Sequence, residues 1–254
     1  MQKTNFNQLS KIFRSLLSKS SKDFLVIHSD LTKIGLYYPK NKNILEDIAE
    51  IFPKKTICIP AFTTNSFTSK KIYKPEFDRS EVGSLGEIAR KSGWQRTNNP
   101  MHSYFINKPF DKITHTEYKA EIKTSSFGNS SFLADIEKNA QVLQIGCFQN
   151  SYVHRAENIF KVDYRFSKKF NGSWNYKSEK GLIENETIVR YLNIKGIEEL
   201  DRNKSRYQFW DSEFCQSMFL NKCLLRTFTA QNFLNFTLDK LDKNKYYLTA
   251  IDNN

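Results

Sequence analysis

An α/β fold, layered α/β/α around a central mixed sheet, is what this sequence predicts, and three observations lead to it. Short apolar runs of strand length recur between amphipathic stretches of helix length. A strand, a helix and a second strand follow one another within about 40 residues, the pattern of a βαβ unit. No internal repeat and no low-complexity segment breaks the alternation.

The elements follow in chain order. The opening MQKTNFNQLSKIFRSLLSKSSKDF places Leu9, Ile12, Phe13, Leu16 and Leu17 at helical spacing. FLVIHS (24–29) is a buried-strand run that ends in polar residues. NILEDIAEIF (43–52) carries Ile44, Leu45, Ile48, Ile51 and Phe52 on one helical face, and KTICIPAFT (55–63) is a second strand, ending in Pro60. SLGEIARKSG (84–93) reads as a short helix closed by Gly93, and HSYFIN (102–107) as a strand with polar residues at its start. SFLADIEKN (131–139) is a helix capped by Ser130 or Ser131, followed by the strand AQVLQIGCF (140–148) and the helix SYVHRAENIF (151–160). Residues 160–210 are aromatic and basic with weaker periodicity, and 214–243 read as helical for most of their length. One domain over residues 1–254 is expected, with an acceptor-binding subregion at about 160–210.

Composition bounds the function. The chain has 254 residues, and its 39% hydrophobic content, with 21 Phe and 12 Tyr, is ample for a core. It carries 39 Lys and Arg against 27 Asp and Glu, a formal charge of +12. Such a field favours anionic partners: nucleic acid, a membrane surface or phosphate-bearing small molecules. An ordinary solvated surface accounts for the lysines equally well. No RNP-like motif, zinc-finger spacing or basic block supports a nucleic-acid module. No run of about 18 apolar residues and no signal peptide is present, so no membrane span is expected. Cys58, Cys147, Cys215 and Cys223 are scattered without a CxxC pair and read as reduced thiols of a cytoplasmic protein.

Three of the four histidines fall at strand edges: His28 closes FLVIH, His102 opens HSYFI and His154 lies beyond VLQIGCF. His115, in DKITHTEYK, reads as an exposed loop residue. If 151–160 is a helix, His154 and Glu157 share a face at i and i+3, so the carboxylate reaches one ring nitrogen and leaves the other as a proton acceptor. That is a general-base arrangement, although HxxE pairs also arise by chance on helix surfaces. A metal site would need further ligands, and neither HExxH nor clustered cysteine supplies them. The GxSxG elbow of serine hydrolases is absent. Cys147 and Cys58 sit within apolar strands and read as packing groups. Gly83 and Ser84, in GSLGE, read either as a phosphate-accepting helix start or as an ordinary one.

In order along the chain, VIHSDLTKIG, CIPAFT, FDRSEVGSLGEIAR, NNPMHSY, SSFGNSSFLADI and VLQIGCFQNSYVHRAE resemble the aminoglycoside 3-N-acetyltransferase family. The likeness covers essentially the whole chain, with departures at Asp30, Val82, Gly83 and Met101. It implies an aminoglycoside 3-N-acetyltransferase-like fold and transfer of an acyl group from acetyl-CoA or another acyl-CoA to an amine, without a metal. His154 would be the general base and Glu157 its orienting carboxylate. His28, Ser29, Asp30 and Leu31, with Arg79, Ser80, Val82, Gly83 and Ser84, would cradle coenzyme A. His102 and Ser103 would lie beside the thioester, Ser103 or backbone N–H groups being candidates for the oxyanion donors.

The acceptor follows from charge. Aminoglycosides are polycations, whereas the segment after the base carries Arg155, Lys161, Arg165, Lys168 and Lys169 interleaved with Tyr164, Phe166, Phe170 and Trp174. Aromatic faces with nearby cations suit a nucleotide-linked amino sugar, whose base stacks and whose diphosphate needs positive partners. Arg155, Tyr164, Arg165, Lys168 and Lys169 are therefore the expected acceptor residues of an N-acyltransferase in surface polysaccharide synthesis. Antibiotic acetylation, and a non-catalytic basic binder on the same fold, stand as alternatives. A homodimer is the working expectation for the assembly.

Overall fold

The computed structural model describes residues 6–33, 44–97, 99–108, 125–176, 179–182, 188–193 and 208–249, with side chains described outside 174–207. The reading of His115 as a loop residue, and much of the subregion at 160–210, lie outside these residues.

The chain runs α1 (Phe6–Leu17), β1 (Phe24–Ser29), α2 (Ile44–Ile51), β2 (Thr56–Pro60), α3 (Thr64–Lys70), β3 (Ile72–Tyr73), α4 (Ser84–Lys91), β4 (Gln95–Arg96) and β5 (Tyr104–Ile106). It continues through α5 (Phe132–Ile136), β6 (Ala140–Ile145), α6 (Tyr152–Phe160), β7 (Arg165–Phe170), β8 (Ser173–Tyr176), β9 (Glu179–Leu182), β10 (Ile188–Asn193), β11 (Gln216–Leu220), β12 (Cys223–Thr229) and α7 (Ala230–Lys243). The main sheet has seven strands in the order β11-β12-β6-β1-β2-β5-β4. β1 pairs in parallel with β2 and with β6, while β12 on β6 and β5 on β2 are antiparallel. The sheet is therefore mixed, with a parallel centre between antiparallel wings.

Alternation along the central strands sends successive side chains to opposite faces. Leu25, Ile27, Ile57, Ile59, Leu143 and Ile145 pack on one face against α1, α2 and α4, through Leu9, Phe13, Leu45, Ile48 and Leu85. Val26, Cys58, Val142 and Phe228 pack on the other, beneath α5, α6 and α7. Two apolar layers thus enclose the sheet, the α/β/α architecture that the strand and helix pattern predicts. Each fully buried aliphatic or aromatic chain contributes about 1.5–3 kcal/mol.

The ends of the elements are set locally. Ser131, one of the two expected caps, accepts from the Ala134 N–H at 3.3 Å and starts α5. β6 stops at Ile145 because Gly146 takes a φ of 64°, a backbone state that side chains resist. A Cβ there would lie 3.0 Å from the Asp30 carbonyl oxygen. Cys147, expected inside a longer strand, is thereby carried past the strand end.

The expectation of helix through most of 214–243 is corrected. A hairpin of β11 and β12 occupies the first half, and only Ala230–Lys243 is helical. Leu220 pairs with Cys223 across the Asn221–Lys222 turn, and Asn221 has a φ of 56°, a state asparagine tolerates better than most residues. Thr229 then caps α7 by accepting from the Asn232 N–H at 3.1 Å. The apolar content of this stretch fits either period, and its pairing with β6 decides for the strand. β2 ends at Pro60 as expected, and α3 begins at Thr64. The basic stretch after α6 forms β7, paired antiparallel with β10, and β8, which lies between β3 and β9.

Among the described residues no helix is long and apolar enough to cross a membrane. The four cysteines are free thiols.

Candidate active site

β1 is the strand from which the parallel sheet extends both ways, to β2 on one side and to β6 on the other. A crevice opens at the carboxyl ends of strands at such a reversal. Here it is a cleft of about 530 Å³. Its wall is His28, Ser29, Asp30 and Leu31 from the end of β1, Pro60 from the end of β2, Cys147 and Gln149 from beyond β6, and Val82, Gly83 and Ser84 at the entry to α4. Seven of the nine residues expected to cradle coenzyme A thus lie together in one cleft, although residues 31 and 82 are far apart in sequence.

The cleft wall is ordered by its own hydrogen bonds. Asp30 N–H donates to the Ile145 carbonyl at 2.8 Å, tying the end of β1 to β6. The Asp30 carboxylate accepts from the Thr32 hydroxyl at 2.5 Å and the Thr32 N–H at 3.2 Å. The Thr32 hydroxyl is the main reason its carboxyl lies below the usual range. Gly83 has a φ of 64°, and no side chain caps α4. The first N–H groups of that helix therefore remain available to an acceptor at the exposed Gly83 and Ser84. Cys147 keeps its proton at neutral pH, burial having pushed its thiol up to about 11.

Arg79 and Ser80, the other two cradle residues, stand outside the cleft wall and brace α4. Ser80 N–H donates to Glu87 Oε1 at 2.6 Å and its hydroxyl to the Val82 carbonyl at 2.8 Å. Arg79 reaches Glu87 Oε2 at 3.5 Å from an exposed position.

α6 carries the His–Glu pair. Ser151 N–H, just before the helix, donates to His28 Nε2 at 3.5 Å, so His154 stands one turn of helix from the back of the cleft. His154 Nδ1 lies 2.8 Å from Glu157 Oε2. The imidazole is 32% exposed and the carboxylate 1%. Burial pushes the Glu157 carboxyl up, but hydrogen bonds and charge from His154 and Arg165 outweigh it and hold it below the ordinary value. An ionised carboxylate facing Nδ1 places the proton there and leaves Nε2 as the acceptor.

His102 is joined to this site through one ring. Phe127 lies 4.6 Å from the His102 ring and 5.1 Å from the His154 ring, centroid to centroid. His102 Nδ1 pairs with the Ser126 hydroxyl at 2.6 Å. Ser126 and Phe127 belong to SSFGNSSFLADI, one of the stretches that carry the family resemblance, yet neither is among the expected site residues.

Ser103 corrects its expected place beside a thioester. It is fully buried, its Oγ donating to the Ala61 carbonyl at 2.8 Å and accepting from Arg96 Nε at 2.8 Å. Both capabilities of the hydroxyl are spent on joining β5 to β2, which leaves no donor for an oxyanion.

The acceptor residues divide as well. Arg155 is 5% exposed, with Nε 2.9 Å from Glu137 Oε2 and Nη1 3.2 Å from the Phe127 carbonyl. It is a strut between α6, the end of α5 and the Phe127 segment, not a surface cation. Tyr164 is buried beside Tyr246. Arg165 turns its Nε to Glu157 Oε2 at 2.5 Å. Only Lys168 and Lys169 are exposed, on β7, with the half-exposed Phe166 two and three residues before them. The left-handed Lys161 that closes α6 reverses the chain and brings Arg165 back over Glu157, a return that periodicity gives no hint of.

No group of three or more potential metal ligands is found among the described residues. No family model and no curated protein matches the sequence. Solved structures do share the fold. AAC-IIIb in a binary complex with CoASH superposes with a TM-score of 0.73 at 14% identity, over 95% of this chain and 97% of that one. AAC-VIa bound to sisomicin gives 0.72 at 13%, over 95% and 98%. The YokD protein from Bacillus subtilis gives 0.71 at 13%, over 96% of each chain.

Proposed function

We propose that this chain is an acyl-CoA-dependent N-acyltransferase of the aminoglycoside 3-N-acetyltransferase type, with His154 as general base and a nucleotide-linked amino sugar as acceptor. The observation that carries the reading is the His154–Glu157 pair, 2.8 Å apart, one helical turn behind a cleft built from the ends of β1 and β2 and the start of α4. That a solved chain of the same fold is described in complex with CoASH supports the choice of coenzyme.

The cleft fits such a ligand. Coenzyme A is long, amide-bearing and phosphorylated, and the cleft offers about 530 Å³, a glycine at positive φ and uncapped helix N–H groups. When bound, the cosubstrate supplies the acyl group as a thioester. The rest falls to the chain. His154 Nε2 accepts the proton that the amine sheds as it attacks, and Nδ1–H donates to Glu157 as the ring becomes cationic. A carboxylate that is ionised beforehand needs no reorganisation at that moment.

The acceptor is inferred from charge. A net +12 repels polycationic antibiotics and attracts a diphosphate, and Lys168 and Lys169 stand exposed beside Phe166 on β7. Release of free thiol from acetyl-CoA, measured against a panel of nucleotide amino sugars and aminoglycosides, tests the reading. Turnover is expected with the former, and His154→Ala should lower kcat by about 100-fold or more in a folded protein. Turnover only with aminoglycosides overturns the acceptor, and no thiol release with any amine overturns the enzyme.

A further inference from the structure

Glu157 is buried to 1% exposure, and two groups from different elements lie against the same oxygen, Oε2: His154 Nδ1, hydrogen-bonded at 2.8 Å, and Arg165 Nε, in ion-pair contact at 2.5 Å. A negative charge in so dry a place needs a positive one beside it. The imidazole can supply it only by taking a second proton, which removes the lone pair on Nε2. A guanidinium supplies it permanently.

We infer that Arg165 is a positioning residue of the base: its guanidinium answers the charge of Glu157, so the carboxylate does not draw its counter-charge from the imidazole of His154 and Nε2 is left to accept. The inference rests on the reading of His154 as general base and adds a residue to it. It also reassigns Arg165, 7% exposed, from the acceptor surface to the catalytic pair. In charge terms the resting site counts one anion and one cation, and the proton taken from the amine makes the imidazolium the second cation. Without Arg165 the imidazolium would become the resting partner of Glu157, and the base would be occupied before the amine arrived.

The other ionisable groups around α6 have different engagements. On the helix itself, Arg155 is closed on Glu137 at 2.9 Å. From the α5 side come Asp135 and that same Glu137. On the α7 side, Asp239 is held by Lys243 at 2.8 Å, Lys240 lies over Phe236, and Lys245 pairs with Asp163 at 2.7 Å. Tyr164 is buried next to Arg165, Lys161 is exposed at the helix end, and His102 lies beyond Phe127 with its Nδ1 on Ser126. Among the described residues, Arg165 is the cation that reaches Glu157.

The test reads the imidazole directly. The chain has 4 histidines, so the ring-proton NMR signal of His154 can be followed through pH and assigned by its loss in His154→Gln. In Arg165→Gln its midpoint should rise by about one pH unit or more, leaving about a tenth of the neutral imidazole below the midpoint. The acid limb of kcat/KM should move to higher pH by the same amount, with the KM for acyl-CoA unchanged. An unmoved His154 midpoint overturns the inference. If Arg165→Gln does not fold, Arg165→Met carries the test, since it keeps most of the buried stem and removes the charge, and a midpoint no higher than the parent's is the overturning result. The titration needs no substrate, so its failure counts against Arg165 alone, whereas absence of thiol release in the parent counts against the proposed reaction.

Discussion

The two ends of the His154–Glu157 contact have opposite environments: across 2.8 Å, the imidazole is 32% exposed while the carboxylate is 1% exposed. The imidazole is partly open to solvent, and the carboxylate beside it is sealed from it. Replacing Glu157 by Gln keeps the shape and removes the charge. We expect kcat to fall by about 100-fold or more with little change in the KM for acyl-CoA. The variant should also lose about 3 kcal/mol of stability, because Arg165 is left buried without its anion. Steady-state kinetics and urea unfolding on the same preparation measure both.

The acid dependence of stability follows from the same carboxylate. Its folded value lies below the ordinary 4.5, because contacts from His154 and Arg165 outweigh the opposing effect of burial. A lowered carboxyl contributes stability that is complete above the unfolded value and is lost as pH falls through the folded one. The difference in unfolding free energy between parent and Glu157→Gln should therefore be constant around neutrality and narrow below about pH 4.5. Urea midpoints across an acid series would show this, and a gap that stays constant to low pH would contradict it.

Gly83 is the hinge between the cleft and α4. At its φ of 64°, a Cβ would meet only the Ser29 carbonyl oxygen, at 3.8 Å. Space is available and the backbone state is the obstacle. Gly83→Val should cost about 1–2 kcal/mol and disturb the helix N–H groups that face the cleft. Calorimetric titration with coenzyme A is expected to show affinity weakened by about tenfold.

Cys147 offers a reporter that does not depend on catalysis. It lines the cleft, and its thiol is pushed up to about 11 by burial. Iodoacetamide should modify it slowly near neutrality and faster as pH rises, since the thiolate is the reacting form. Saturating coenzyme A should suppress that modification, as followed by peptide mass spectrometry. Undiminished labelling of Cys147 in the presence of coenzyme A would place the ligand elsewhere.

What could be read in advance differs between kinds of residue. The pairing of His154 with Glu157 is an i, i+3 relationship, so helical periodicity alone brings the two together. The strand ends at His28 and Ser29 were legible because apolar runs stop where a sheet meets solvent. The residue sets expected to form the cradle converged for a topological reason: β1 is flanked by β2 and β6, which opens a crevice at its end. Ser103, Arg155 and Arg165 were misassigned because each has a polar side chain that the fold turns inward. Their partners Arg96, Glu137 and Glu157 come from other elements or from across a chain reversal. The hairpin of β11 and β12 was hidden for a related reason, since its apolar residues satisfy either period until β6 is there to pair with.

The sequence by itself determined the alternation of strands and helices, the one-sided apolar faces and the adjacency of His154 to Glu157, because all three depend on contacts within a few residues. The tertiary structure alone decided which polar side chains face the cleft, which are consumed in holding elements together, and that an arginine from β7 closes on Glu157. A buried charge must find its partner in space, and the chain's turn at Lys161, not its spacing along the sequence, supplies that partner.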